Sequence, residues 1–184
     1  MVRQPIIPQL NGPEFLLWEQ AQSERYELNA GFVFAFAGGT AAHDRLAFNM
    51  RTLLESAFPS PCRTFGSDMK VRISSNTYYY PDVAVGCDTI ADDATVLENP
   101  RIVVEVLSAA TRGYDLVEKR AAYRTLASLR AYVVIDTDIR RVEVDRRDFA
   151  GKWETETFDV GEALLDGSRL SLDAIYAETA IGSR

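Results

Sequence analysis

Hydrophobic and polar positions alternate in blocks that predict a helix, a hairpin and a longer helix in the first third of the chain. Residues 13–22 (PEFLLWEQAQ) place apolar side chains on one side of a short helix. In residues 25–37, aromatic and aliphatic side chains recur with period two around Asn29-Ala30-Gly31, which predicts a β-hairpin. Leucine and methionine at helical spacing predict a helix from about residue 41 to 57, with Thr40 as its N-cap.

The middle of the chain predicts strands on both sides of a helix. Residues 68–73 and 78–86 predict a second hairpin around a Ser-Ser-Asn-Thr turn. Residues 101–108 (RIVVEVLS) are apolar on both sides of one glutamate, as expected of an interior strand covered on both faces. Residues 115–129 have a helical pattern, and residues 131–136 (AYVVID) predict another buried strand. Such a strand–helix–strand unit predicts a parallel pair of strands.

The remaining patterns predict where the third helix begins and which elements follow the last buried strand. Asp115 and Glu118 stand in the D-x-x-E relation of a capping box, which predicts that the third helix begins at Asp115. Residues 140–145 and 153–158 predict a more exposed antiparallel pair, and residues 170–178 a closing helix or turn. The sequence therefore predicts an α/β protein, with a mixed sheet flanked by helices and an added hairpin at each end.

Composition limits the classes of protein to which the chain can belong. Its 184 residues, 47% of them hydrophobic, predict a single domain over residues 1–184. A net charge of −7 excludes a basic protein that coats nucleic acid. Two cysteines and one histidine are too few for a disulfide framework or a four-ligand zinc site. Neither a signal peptide nor an apolar run of roughly 18 residues is present, so we expect a soluble, cytoplasmic protein.

Two acidic residues lie in or next to segments that predict apolar strands. Glu105 lies within a run that otherwise indicates core, and Asp82 follows Pro81 at the start of Val83-Ala84-Val85. An isolated buried carboxylate is costly unless it is paired, protonated or bound to a metal ion. Two carboxylates on neighbouring strands would suit Mg²⁺ or Mn²⁺. The alternative is that each acid pairs with an arginine, and the spacing favours neither interpretation.

Lys119 is a candidate partner of these acids. Leu116, Lys119, Tyr123 and Leu126 share one stripe of the predicted helix, which places an ammonium among residues facing the sheet. Lysine is rare in this chain, with three copies, and its compact charge can be tuned by burial. The alternative is a lysine whose stem packs while its head reaches solvent.

These residues together carry a resemblance to a known family. The matching positions are Pro81-Asp82, Glu105-Val106-Leu107-Ser108, Thr111, Asp115, Lys119 and Tyr123, with Tyr26-Glu27-Leu28, His43, residues 67–72 and residues 142–144. Over most of its length the chain resembles the Uma-type putative restriction endonuclease family, in the PD-(D/E)XK nuclease superfamily. The resemblance implies an αβββαβ restriction-endonuclease-like core, a divalent metal held by Asp82 and Glu105, and hydrolysis of phosphodiester bonds.

The chain departs from the superfamily pattern at one position. The superfamily places a lysine two residues after the second acid, where this chain has Leu107. A lysine from elsewhere would have to replace it. Lys119 is the first candidate because its stripe faces the sheet beside Glu105, and Lys70 is the second because its strand neighbours that of Asp82. If neither lysine reaches the site, the fold is kept without the chemistry.

Five further residues are weaker candidates. His43 near a helix N-terminus could contact a phosphate, although a surface position is the commoner interpretation of a lone histidine. Glu27 could extend the acidic cluster or lie in solvent. We interpret Ser108 as a turn or cap hydroxyl, Asp115 as a helix cap, and Tyr123 as a core residue whose hydroxyl points toward Lys119.

The hypothesis from the sequence is a Mg²⁺- or Mn²⁺-dependent endonuclease acting on nucleic acid, with DNA favoured. Asp82, Glu105 and Lys119 would be catalytic, and Asp82, Glu105 and the Val106 carbonyl would hold the metal. The rivals are a non-catalytic module that binds nucleic acid or protein, and a metal-dependent hydrolase of small phosphorylated or sugar substrates. A homodimer is a further assembly to test, and no membrane partner is expected.

The distribution of charge favours DNA over a small substrate. Residues 101–152 carry eleven basic and eight acidic side chains, a local charge of +3. We therefore expect some of five arginines to line a cleft beside the carboxylates. They are Arg112, Arg120, Arg124, Arg140 and Arg141.

Overall fold

The computed structural model describes residues 9–35, 39–108 and 112–182. Its elements are runs of strands separated by helices. In chain order they are α1 (Gly12–Glu19), β1 (Tyr26–Asn29), β2 (Phe32–Ala35), α2 (Ala41–Ala57), β3 (Arg63–Gly66), β4 (Lys70–Ser74), β5 (Thr77–Tyr79), β6 (Val83–Gly86), β7 (Val96–Leu97), β8 (Pro100–Val106), α3 (Arg112–Tyr114), a π-helical turn (Asp115–Lys119), α4 (Arg120–Tyr123), β9 (Ala131–Ile135), β10 (Val142–Arg147), β11 (Trp153–Phe158), β12 (Glu162–Leu165), β13 (Ser168–Ser171) and α5 (Leu172–Ile175).

The strands form two larger sheets and one small hairpin. A six-stranded sheet has the order β11-β10-β9-β8-β6-β3, and a five-stranded sheet has the order β2-β1-β5-β4-β7. Strands β8 and β9 pair in parallel, as predicted for the strand–helix–strand unit, whereas β6 pairs with β8 antiparallel. The first sheet is therefore mixed, and the predicted α/β class with helices on the sheet is confirmed.

Both faces of the six-stranded sheet are covered because its central strands are apolar on both sides. On one face, Leu46 and Met50 of α2 pack with residues such as Val104. On the other face, Tyr123 of α4 packs with residues such as Val103. The prediction that residues 101–108 form an interior strand is confirmed. Glu105, two residues after Val103 on β8, faces the same side of the sheet as Val103 and Tyr123.

The predicted hairpin over residues 68–86 is partly wrong. Its first half is correct, since β4 and β5 pair antiparallel. The chain then leaves that sheet after Tyr79, and Val83–Gly86 joins the six-stranded sheet instead. Pro81 explains the break, because proline cannot donate to a continuing ladder. Strands β3, β7, β12 and β13 were not predicted, and each has only two to four residues.

The third helix differs from its prediction at both ends. It begins at Arg112 rather than Asp115, so the predicted Asp115–Glu118 capping box is wrong. It passes through a π-helical turn at Asp115–Lys119 and ends at Tyr123 instead of residue 129. Thr111 and residues 36 and 37 of the predicted first hairpin lie outside the described residues. The predicted second helix is confirmed at Ala41–Ala57, where the Thr40 side chain accepts a hydrogen bond from the His43 N–H.

The two cysteines, although too few for a framework, form a single disulfide. Cys62 and Cys87 are joined next to the paired residues Arg63 and Gly86, so the bond links the start of β3 to the end of β6. Within the described residues, no helix is long and apolar enough to cross a membrane.

Candidate active site

Asp82 directly precedes β6, and Glu105 lies on β8, the strand with which β6 pairs. Strands β6 and β8 pair antiparallel with Val83 opposite Val104, and continuing this register by one residue places Asp82 opposite Glu105. Residues directly opposite in an antiparallel pair project to the same face of the sheet. The Asp82 Oδ2 atom accepts a hydrogen bond of 2.7 Å from the Val106 N–H, which fixes the carboxylate at the end of β8.

Lys119 reaches Glu105 from the π-helical turn. Its Nζ atom lies 3.1 Å from Glu105 Oε1 and 2.9 Å from Glu27 Oε1. Lys119 is 4% exposed and Glu105 3% exposed, so the interaction lies inside the protein, as the stripe on the predicted helix indicates. The ammonium also lies 5.5 Å from the centre of the Tyr79 ring. We call Asp82, Glu105, Glu27 and Lys119 the site cluster.

Glu27 is part of this cluster and is not a solvated strand residue. It lies on β1 of the five-stranded sheet and is buried. Its Oε1 atom accepts a hydrogen bond of 3.1 Å from the Tyr80 N–H in addition to its contact with Lys119. Glu27 therefore joins the two sheets at the site, and of the two interpretations left open by the sequence, the buried one holds.

Buried tyrosines surround the charged groups and remain neutral at physiological pH. Burial raises the pKa of Tyr79 to about 12, with the Glu27 charge adding to the effect and Lys119 opposing it. Burial, followed by the charges of Glu105 and Glu27, raises the pKa of Tyr123 well above its ordinary value. The Tyr123 hydroxyl finds no hydrogen-bond partner in the described part of the chain, and its ring stacks on Tyr132. Tyr123 is a core residue, as predicted.

Lys70, the second candidate lysine, belongs to a different cluster. Its Nζ atom lies 2.7 Å from Glu19 Oε2 and 3.0 Å from the Tyr80 hydroxyl. The Tyr80 hydroxyl in turn donates to Glu19 Oε1 at 2.9 Å. We call Glu19, Lys70 and Tyr80 the α1 cluster, because it fastens the end of α1 to β4. Both buried lysines thus have glutamate partners, and Lys119 is the one that contacts Glu105.

Three weaker candidates can also be placed. His43 is half-buried, and its Nε2 atom lies 3.4 Å from Asp82 Oδ2, so the commoner interpretation as a surface residue is wrong. The Ser108 backbone carbonyl accepts a hydrogen bond of 2.9 Å from the Arg112 N–H, whereas the role of its hydroxyl stays a prediction. Asp115 lies within the π-helical turn and cannot cap the helix that begins at Arg112.

A cleft opens on Asp82. Its volume is about 460 Å³, and α2 forms one wall through residues that the sequence analysis did not single out. Asp44, Ala47, Phe48 and Arg51 follow the i, i+3, i+4, i+7 spacing of one helical stripe, which was the available signal. The described residues that line the cleft are Asp44, Ala47, Phe48, Arg51, Phe65, Gly66, Ser67, Asp68, Met69, Asp82 and Ala94.

The expectation that arginines of residues 101–152 line this cleft is wrong. The arginine among its described lining residues is Arg51 of α2. The five predicted arginines instead pair with acids, which explains the local charge without a basic surface. The pairs are Arg112 with Asp136 and Asp138, Arg120 with Glu143 and Asp145, Arg124 with Asp145, Arg140 with Asp173, and Arg141 with Asp159.

The donor atoms of the site cluster suit a hard cation. Two carboxylates, those of Glu27 and Glu105, converge on the Lys119 ammonium, and oxygen donors are the ligands that Mg²⁺ prefers. Among the described residues, no group of three or more His, Cys, Asp and Glu side chains is arranged to hold a metal ion. Asp82 and Glu105 would therefore need backbone carbonyls and water as the remaining ligands, which is common for Mg²⁺.

Comparison with known proteins identifies the family. Residues 13–177 match the Uma2 family, described as "Putative restriction endonuclease", and the chain belongs to that family. It is 35% identical over 139 residues to the uncharacterized protein sll1609 of Synechocystis sp., covering 73% of this chain and 78% of that protein. It is 29% identical over 175 residues to slr1290 of the same organism, covering 92% of each.

A solved structure shares the fold. A crystal structure described as a putative nuclease belonging to DUF820, from Anabaena variabilis, superposes with a TM-score of 0.72 over 91% of this chain and 98% of that chain. The sequence identity is 19%, so this likeness shows the fold. The class expected from the sequence, a mixed α/β nuclease-like fold, is confirmed.

Proposed function

We propose that the protein hydrolyses phosphodiester bonds of DNA with the help of a divalent metal ion. Asp82 and Glu105 would hold the ion, and Lys119 would be the lysine that replaces the one missing at Leu107. The observation that supports the proposal is that Asp82 and Glu105 adjoin the paired strands β6 and β8, with Lys119 Nζ 3.1 Å from Glu105 Oε1. The descriptions of the family and of the Anabaena protein, "Putative restriction endonuclease" and "putative nuclease", support the reaction class.

The chain's own residues would divide the work at the site. A bound Mg²⁺ or Mn²⁺ would polarise the phosphate and lower the pKa of a bound water. Asp82, held by the Val106 N–H, would present its carboxylate at the cleft. Glu27 and Glu105 would hold the Lys119 ammonium in place, where its charge could stabilise negative charge developing on the phosphate. His43 would orient Asp82 through its contact with Oδ2.

A matched pair of variants tests the proposal. Glu105→Gln removes one charge from the site cluster, and Glu19→Gln removes one from the α1 cluster, where a buried glutamate also pairs with a buried lysine. DNA is incubated with each purified variant in Mn²⁺ or Mg²⁺, with a chelator as the control. We expect cleavage by the wild-type protein and Glu19→Gln but none by Glu105→Gln or Asp82→Asn. Equal cleavage by Glu105→Gln would contradict the proposed site.

The second candidate is a non-catalytic module that binds nucleic acid or protein. Leu107 in place of the expected lysine favours it, as does the pairing of Glu105 with Lys119. Binding of DNA without cleavage in any divalent metal would support this candidate. The homodimer and the cytoplasmic location stay predictions, which sedimentation and cell fractionation would test.

A further inference from the structure

The cleft beside Asp82 presents an exposed aromatic ring on its helical wall. Phe48 of α2 lines the cleft and is 57% exposed, although it is a large apolar side chain. The Arg45 guanidinium lies 5.4 Å from the centre of the ring, which leaves more than half of the residue open to solvent. Aromatic rings placed beside a phosphate-binding surface are the usual platforms on which unpaired bases stack.

Arg51 lies one helical turn further along the same stripe. The described residues give it neither an ion pair nor a hydrogen bond, unlike the five arginines that pair with acids. Its guanidinium lies over Gly66 of β3, where an added Cβ atom would come within 3.1 Å of Nη1. The glycine thus leaves space for the guanidinium at the cleft wall. A planar, unpaired guanidinium is suited to contact a phosphate group.

The charge of the cleft argues against a long duplex contact. Asp44, Asp68 and Asp82 accompany the single arginine among its described lining residues. Proteins that grip duplex DNA make about 6–10 phosphate contacts. The bases of a duplex are also stacked and paired, so their faces are not available to an aromatic side chain. One ring and one guanidinium instead match a single unpaired nucleotide.

We propose that this cleft binds an unpaired nucleotide of a single-stranded nucleic acid, with Phe48 stacking on the base and Arg51 contacting a phosphate. The inference rests on the proposed function, since it places the bound strand beside Asp82. It deepens that function by naming the substrate as single-stranded and by adding two substrate-binding residues. The sugar could be that of DNA or RNA, because stacking and phosphate contact do not distinguish the two.

Binding of end-labelled oligonucleotides tests the proposal. Short single-stranded DNA, single-stranded RNA and duplex DNA are titrated by fluorescence anisotropy in Ca²⁺, which usually supports binding without turnover. We expect tighter binding of a single strand than of the duplex. Phe48→Ala should weaken single-strand binding about tenfold, since a stacked base contributes strongly to affinity. Arg51→Ala should also weaken it about tenfold through loss of a charge-assisted contact.

Two surface variants serve as matched controls. Phe149 is a fully exposed aromatic residue between β10 and β11, and Arg169 is an exposed arginine on β13, both outside the cleft. Phe149→Ala and Arg169→Ala should bind as the wild-type protein does. Circular dichroism checks that all four variants keep the fold.

The outcomes separate this inference from the proposed function. If the wild-type protein cleaves nucleic acid but Phe48→Ala binds single strands normally, the inference fails and the function stands. If single strands bind through Phe48 and Arg51 but no metal supports cleavage, the function fails and the inference stands. Absence of binding to all three probes overturns both. Binding of either single strand through Phe48 supports the inference. Comparison of the DNA and RNA strands then identifies the sugar.

Discussion

Lys119 is one of two buried lysines in this protein, and the contrast with Lys70 defines its role. Each ammonium is neutralised by glutamate inside the protein, Lys119 by Glu105 and Glu27 and Lys70 by Glu19. The two lysines have similar burial and similar partners, so they differ mainly in whether they touch Glu105.

This similarity gives a controlled test of the lysine. Lys119→Met and Lys70→Met each remove a buried ammonium while keeping the length of the side chain. We expect Lys119→Met to abolish cleavage and Lys70→Met to keep it, because only the first change removes the charge beside Glu105. Cleavage per folded molecule is measured at a temperature where circular dichroism shows both variants folded. Loss of cleavage in Lys70→Met alone would assign the role to Lys70.

Lys119 variants should lose stability as well as activity. Removing it leaves Glu27 and Glu105 buried side by side without their ammonium. Breaking a buried ion pair typically costs about 3–5 kcal/mol. We therefore expect Lys119→Met to lower the free energy of unfolding at neutral pH by that amount.

A double-mutant cycle checks this expectation by chemical denaturation. Glu105→Gln together with Lys119→Met should be less destabilising than the sum of the single variants, because both members of the pair are removed together. Strictly additive losses would show that Lys119 and Glu105 do not interact in solution.

At the scale of elements, Asp136 ties the third helix to the end of β9. It accepts hydrogen bonds of 2.6 and 3.0 Å from the Arg112 guanidinium, and it also accepts from the N–H groups of Asp138 and Ile139. Burial alone would raise the pKa of Asp136. The hydrogen bonds from Arg112 and the two N–H groups outweigh burial, so its pKa lies below the ordinary value of 3.8. The helix that carries Lys119 is therefore anchored at its first residue.

The lowered pKa predicts how this anchor depends on pH. Because the native pKa is depressed, the native state binds fewer protons than the unfolded state, and stability is fully present above the unfolded value. It is then lost as the pH falls through the native pKa. We expect Asp136→Asn to lower the free energy of unfolding by about 2 kcal/mol at neutral pH.

Denaturation at several pH values measures this difference. The difference in the free energy of unfolding between the wild-type protein and Asp136→Asn should disappear as the pH falls below about 4. Asp159→Asn is the control, since Asp159 pairs with Arg141 on the exposed surface and should have little effect. A gap that persists unchanged in acid would show that the Asp136 charge does not support the fold.

The elements that can be predicted from the sequence are those with strong periodic signals. Helix α2 and the parallel pair β8–β9 follow from helical spacing and from runs of apolar residues, and their bounds agree closely with the structure. The predicted partner of β6 is wrong because Val83–Gly86 is apolar throughout and carries no period that indicates a neighbour. The π-helical turn is not predicted because it shifts the ladder by one residue without changing the pattern visible in the sequence.

The candidate site can be predicted only where a local sequence pattern marks a residue. Glu105 is conspicuous because it is an acid in an apolar strand, and Lys119 because it lies on a buried helical stripe. The sequence alone therefore predicts that the two residues lie close together. Glu27 can be named but not placed, because its burial depends on the packing of one sheet against another. The contact between His43 and Asp82 depends on where α2 crosses the sheet, which no local pattern specifies.

At the scale of the whole molecule, the five arginines expected at the cleft neutralise acids instead of forming a basic surface. These five arginines therefore do not form a positive surface that would offset the net charge of −7. The affinity for nucleic acid should consequently depend weakly on salt. We expect a slope of log affinity against log salt of about −1 to −2 for a single strand.

Anisotropy titrations over a range of salt concentrations measure this slope. Arg51→Ala should bring it closer to zero by about one unit, because one phosphate contact is lost. A slope as steep as that of proteins with about 6–10 phosphate contacts would show that a basic surface exists after all.

The most direct test of the metal site is diffraction from crystals soaked in Mn²⁺. Anomalous scattering locates the ion and its ligands without relying on turnover. We predict a peak bonded to carboxylate oxygens of Asp82 and Glu105, at about 2.0–2.3 Å from each as for hard divalent cations, and no such peak in Glu105→Gln crystals. A Mn²⁺ peak elsewhere, or none while Lys119 stays bound to Glu105, would contradict a metal-dependent nuclease site.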